Sequence, residues 1–202
     1  MMYHINLLLF DQFELLDAFG PAEIFGKAPE IFTLHYYSRH GGVIKSAQDT
    51  QILTEIYASQ PQHTNILLLP GGEGTRQLVQ RADDINDIKR LAEEADYVLS
   101  VCTGAALLAK AGVLDGKRAT TNKRAFEWVK SQRSAVDWVK RARWVKDDKY
   151  YTSSGITAGM DMSLGFINDI VSPEKAREIS KRIEYIWHED SSEDPFADLY
   201  EG

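Results

Sequence analysis

The chain has 202 residues, a hydrophobic content of 44%, a charged content of 26% and a formal net charge of -7. That length suits one α/β domain with a full core and is short for two, while the acidic balance argues against a general nucleic-acid binder. A single cysteine excludes an intrachain disulfide and a cysteine-rich zinc site, and fits a reducing compartment.

The opening residues run straight into a strand, with no basic segment or cleavage site of the secretory kind. No apolar run approaches the roughly 20 residues that span a bilayer. The expectation is a cytoplasmic protein without membrane contact.

Residues 3–10 form a short apolar run and predict a buried strand, broken at Asp11-Gln12. Leu15, Leu16, Phe19, Ile24 and Phe25 then recur at helical spacing, with Pro21 suited to a first helical turn. Residues 32–38 read as a strand, His40-Gly41-Gly42 as a turn, and residues 43–56 as short strands with polar breaks. Residues 65–69 predict a buried strand that ends in Pro70-Gly71-Gly72. Helices follow at 76–80 and 85–94. The apolar strand ending at Cys102 comes next, then its helix to Ala111 and a Gly112 stop. A helix at 124–131 precedes a hairpin of residues 144–146 and 150–153 around Asp147-Asp148, and helices at 160–170 and 173–185 close the domain.

Strands alternating with helices imply a single-domain, doubly wound, mostly parallel sheet with helices on both faces. The domain is expected over residues 1–188. Residues 189–202 read as an acidic C-terminal tail, a mobile terminus or a dimer arm. Sites in such sheets form at the carboxyl ends of strands. Cys102, Gly71-Gly72 and the loop after Phe10 all lie at such ends.

The strand–Cys102–Thr103–Gly104–helix pattern is that of a nucleophile elbow, with a thiol where hydrolases place serine. The helix end beside it predicts a lowered thiol pKa. A lone cysteine in an apolar run is otherwise a small buried hydrophobe, and an exposed thiolate is also a redox sensor. Gly71-Gly72 allows close backbone approach, and the N–H groups of Thr103 and Gly72 are candidates to bind developing negative charge. The Thr103 hydroxyl is placed to orient water or substrate. Gly155 and Ile156 are expected in one wall.

His4, His35, His40, His63 and His188 show no ligand spacing, so no metal site is expected. Glu14 and Glu23 read as solvated, as do Arg118, Lys123 and Arg124. Asp161 reads as serving a helix N-terminus. Basic and aromatic residues alternate over 123–149, but Phe126, Val129, Val136, Val139 and Val145 interleave with them and suit buried faces rather than nucleic-acid contact.

Four segments resemble the ThiJ/PfpI superfamily, whose fold is flavodoxin-like and similar to class I glutamine amidotransferases. They are Leu15-Leu16-Asp17-Ala18-Phe19-Gly20-Pro21, Leu69-Pro70-Gly71-Gly72, residues 100–121 around Cys102-Thr103-Gly104, and Ser154-Gly155-Ile156-Thr157-Ala158-Gly159-Met160-Asp161. Together they look most like the isonitrile (isocyanide) hydratase branch, and the N-terminal domains of some AraC-type regulators look similar. The resemblance implies a homodimer that acts on a small molecule without a cofactor. It places Asp17 against the nucleophilic Cys102. Isocyanide hydration to an N-substituted formamide is the expected activity, with Cys102 as nucleophile and Asp17 as general acid. A glyoxalase- or deglycase-like activity on dicarbonyls and a non-catalytic redox or stress sensor are the alternatives.

Two positions depart from the wider pattern: Ser100 where amidotransferases carry glycine, and Asn122 where many relatives carry histidine. Without that histidine, amidase and protease readings lose their proton shuttle.

Overall fold

The computed structural model describes residues 2–57 and 66–200. Its elements are β1 (Tyr3–Leu8), α1 (Leu15–Gly26), β2 (Phe32–Ser38), β3 (Gly42–Lys45), β4 (Gln51–Ile56), β5 (Ile66–Leu69), α2 (Thr75–Leu78), α3 (Ala82–Glu94) and β6 (Tyr97–Val101). They continue with α4 (Gly104–Lys110), β7 (Arg118–Ala119), α5 (Phe126–Ser131), β8 (Asp137–Trp138), β9 (Trp144–Asp147), β10 (Tyr150–Ser153), α6 (Ala158–Ile170) and α7 (Pro173–Arg182). Asn65, expected to start β5, and His63 lie outside the described residues.

The main sheet has the order β3-β4-β2-β1-β5-β6-β10-β9. Its central pairings are parallel, and only β3 on β4 and β9 on β10 run antiparallel. The doubly wound reading is thus the observed one. Side chains alternate across the central strands as the pleat requires. Ile66 and Leu68 of β5, with Leu99 and Val101 of β6, pack on one face with Phe25 of α1 and Met162 of α6. Leu67, Leu69 and Val98 turn to the other face and meet Leu91 of α3 and Leu107 of α4. Both faces are apolar because both are covered, which is why these strands read as continuous apolar runs.

Three features differ from the sequence expectations. Pro21 lies inside α1 rather than in its first turn, because the helix starts early enough to carry Asp17. β7 and β8 form a small second sheet that two-residue strands do not announce in sequence. Residues 189–200 are docked rather than loose. Asp194 and Ala197 are buried, and the Ser191 carbonyl accepts hydrogen bonds from the N–H groups of Arg143 and Trp144.

Candidate active site

The carboxyl ends of β1, β5, β6 and β10 converge on one cavity of about 610 Å³. That volume suits a small-molecule ligand. Cys102, Thr103, Gly72, Asn122, Gly155 and Ile156 lie in its walls.

Cys102 follows β6 directly and takes the left-handed backbone conformation, φ 55. A non-glycine residue holds that conformation at a cost of roughly 1–2 kcal/mol, so neighbours must impose it. Here the Cys102 N–H donates to the Ser154 carbonyl at 3.2 Å, and the Thr121 hydroxyl donates to the Cys102 carbonyl at 2.7 Å. The elbow is therefore clamped by the loop after β10 and by the Thr120-Thr121 loop.

Asp17 approaches from α1 and is fully buried. Its Oδ2 accepts the Gly71 N–H at 2.9 Å. Its Oδ1 is buried without a hydrogen-bond partner, and the Cys102 thiol is close enough to influence the carboxyl. Gly71 leaves room for this contact. A Cβ there would stand 2.6 Å from the Thr103 nitrogen and 2.9 Å from Asp17 Oδ2. Gly71 thus positions Asp17 and does not line the cavity, a correction to its expected place in the substrate wall.

Burial pushes the Asp17 carboxyl up to about 8, against the pull of the Gly71 N–H, and the charge of Glu14 adds to the rise. Burial and the neighbouring Asp17 charge also push the Cys102 thiol up, although the N–H groups of Thr103 and Ile156 point at its sulfur and oppose the shift. This reverses the expectation of a lowered thiol pKa. The helix after the elbow, α4, is seven residues long, and its end effect loses to desolvation of the buried sulfur. Two groups so close cannot both ionise cheaply, so the pair keeps at least one proton through neutral pH.

Two further expectations change. The Gly72 N–H donates to Thr103 Oγ1 at 3.0 Å, so it is already engaged and does not face a reacting oxygen. Thr103 Oγ1 also receives the Thr75 hydroxyl at 3.1 Å, which ties it into the loop instead of leaving it to orient water. The N–H groups aimed at the reacting position are those of Thr103 and Ile156. Ile156 holds φ 42, an outlier for a β-branched residue. Sequence placed Ile156 in the wall but gave no sign of this backbone role.

Asn122 lines the cavity, packed where a Cβ on Gly155 would meet its own Cβ at 3.2 Å. Glu14, expected to be solvated, also lines the cavity and is held by Gln48 Nε2 at 2.7 Å. Glu23 stays on the surface with Lys27. Lys123, also expected at the surface, is buried and pairs with Asp194 at 3.4 Å. Asp161 lies in the first turn of α6 as expected, but it also pairs with the buried Arg143 at 2.7 Å. Away from the site, His4 and His35 meet at 3.0 Å near the start of β1, a pairing that sequence spacing did not show.

Residues 3–169 match the DJ-1/PfpI family. The chain belongs to the DJ-1/PfpI family. Among relatives, it is 30% identical to an isonitrile hydratase of Pseudomonas putida over 92% of this chain and 79% of that protein. A ThiJ/PfpI family protein from Pseudomonas syringae superposes with a TM-score of 0.80 at 24% identity, covering 92% of this chain and 76% of that one. DJ-1beta of Drosophila melanogaster does so with a TM-score of 0.78 at 22% identity, covering 93% of this chain and 100% of that one. This DJ-1/PfpI chain therefore shares the fold of these structures and has an enzyme among its relatives. Among its described residues, no helix is long and apolar enough to cross a membrane.

Proposed function

We propose that this protein hydrates an isocyanide to an N-substituted formamide, with Cys102 as nucleophile and Asp17 as proton carrier. The observation that carries the reading is the buried Asp17 carboxyl held against the Cys102 thiol by the Gly71 N–H. Similarity to an isonitrile hydratase points the same way.

The working state is the pair with one proton. Sulfur attacks the terminal carbon of the isocyanide, and the S–C bond forms as that proton passes to the same carbon. The product is a thioimidate, and Asp17 is left as carboxylate. Asp17 then takes a proton from water while the hydroxide adds to the thioimidate carbon and the nitrogen gains a proton from solvent. The tetrahedral intermediate collapses with cleavage of the C–S bond. The hydroxyl proton of that intermediate returns to solvent as the C=O bond forms, the formamide leaves, and the pair again holds the one proton that Asp17 took from water. The N–H groups of Thr103 and Ile156 hold the sulfur in line and stabilise charge as it shifts.

With both groups pushed up, the carboxyl to about 8, the resting pair holds its protons at neutral pH, and the one-proton working state forms when the thiol gives up its own to solvent, leaving the carboxyl as the acid. The alternatives draw less support. Cys102 is 8% exposed and its thiol is raised, whereas redox sensors need an exposed, low-pKa thiol. No histidine is present among the described residues lining the cavity, which leaves dicarbonyl chemistry without the shuttle its family resemblance implies.

The test is conversion of an aryl isocyanide to its formamide, followed by absorbance, in wild type, Cys102→Ala and Asp17→Asn. Turnover in wild type that is lost in both variants is the expected result. A reduced wild-type thiol without turnover overturns the assignment.

A further inference from the structure

The segment after α7 closes one side of the cavity. Phe196, Leu199 and Tyr200 line it, although each leaves half or more of its surface exposed. Glu14, Glu73 and Arg76 line the same cavity, so its lining is part apolar and part charged.

The segment is held by a buried anchor. Asp194 is 2% exposed and contacts Lys123 Nζ at 3.4 Å and Arg143 Nη1 at 3.5 Å. Arg143 in turn grips Asp161 at 2.7 Å and the Thr157 hydroxyl at 3.2 Å. Lys123 also donates to the Ala142 carbonyl at 2.8 Å. The anchor joins the tail to both walls beside the thiol. Lys123 directly follows Asn122, and Thr157 directly follows Ile156. Buried charges are costly unless paired, and their retention here fixes one geometry for an otherwise polar tail.

We infer that Phe196, Leu199 and Tyr200 form the subsite for an apolar substituent of the substrate, held in place by the Asp194 anchor. This rests on the reading that Cys102 is the reacting group. A ligand whose reactive carbon meets Cys102 then lays an aryl or branched alkyl group on this wall, and its affinity rises with the apolar area covered. Small or charged substituents gain nothing there.

The test uses Phe196→Ala and Tyr200→Ala, singly and combined, at side chains that leave about half of their surface exposed, with melting curves to show that each variant is folded. One arm compares phenyl isocyanide with methyl isocyanide. The combined variant is expected to raise KM for the phenyl compound about tenfold, with kcat within twofold and methyl isocyanide unaffected. A second arm needs no turnover: alkylation of Cys102, the sole cysteine, by N-phenylmaleimide and by iodoacetamide. The expected result is a slower phenylmaleimide reaction at an unchanged iodoacetamide rate. Equal changes with both reagents, or no change with either, overturn the subsite. Selective loss in the alkylation arm with no isocyanide turned over supports the subsite and sinks the hydratase reading.

Discussion

The backbone N–H of Ile156 points at the sulfur of Cys102, and both residues hold left-handed backbone, at φ 42 and φ 55. Two strained residues from different loops thus face each other across the reacting position. Strain of this kind persists where surrounding structure imposes it, and it concentrates at functional sites. Glycine adopts the Ile156 conformation freely. Relief of roughly 1–2 kcal/mol of strain offsets the entropy of the freer unfolded chain and the contacts of a side chain 39% exposed. Ile156→Gly should melt within about 3 °C of wild type and alkylate Cys102 within twofold, because the N–H is kept. A melting point lower by more than about 6 °C would mean that the side chain itself carries the packing there.

Gly71 has no room for a methyl group beside Thr103 and Asp17. Gly71→Ala should cost about 1–3 kcal/mol through overpacking and cut isocyanide turnover by at least about tenfold, because Asp17 is displaced from the thiol. Thermal melts and turnover on one preparation check both. Full activity in the variant would remove Gly71 from the account.

Asp17 makes stability depend on pH in a set direction. Its carboxyl titrates near 8 in the folded protein and near 4 in the unfolded chain. Between those values the folded state binds the extra proton, so stability falls as pH rises through that window. Asp17→Asn removes the titration. The variant should match wild type at pH 4 and melt several degrees higher near pH 8. Melting curves at half-unit steps measure this, and parallel profiles for the two proteins would contradict the raised carboxyl.

Much of this was legible in the sequence, and the gaps have physical causes. The elbow at Cys102 could be read because a strand, a Thr-Gly step and a helix are contiguous, so local pattern decides the geometry. Asp17 was found only through family resemblance, since its contact with Cys102 is made by packing α1 against the sheet. The direction of the thiol shift was missed because burial is a property of the assembled fold. The docking of the tail was not legible because Asp190, Glu193, Asp194 and Asp198 look like solvated charge. The partners of Asp194 are Lys123 and Arg143, far away in sequence.

The Asp194 anchor should weigh far more than the ion pairs on the tail's surface. Asp194→Ala leaves Lys123 and Arg143 short of a buried carboxylate and should cost about 3–5 kcal/mol. Asp198 pairs with Arg141 where both are exposed, and Asp198→Ala should cost under about 1 kcal/mol. Chemical denaturation of the two variants compares them directly. Equal losses would mean that burial at Asp194 carries no special weight.

The most direct test of the shared proton between Cys102 and Asp17 is the pH profile of Cys102 alkylation by iodoacetamide, in wild type and in Asp17→Asn. The charge of Asp17 helps to hold the thiol up, so the variant's midpoint should move to lower pH while burial keeps it above an ordinary thiol. Superimposable profiles would show that the two groups do not titrate as a pair, and the proposed chemistry would fall with them.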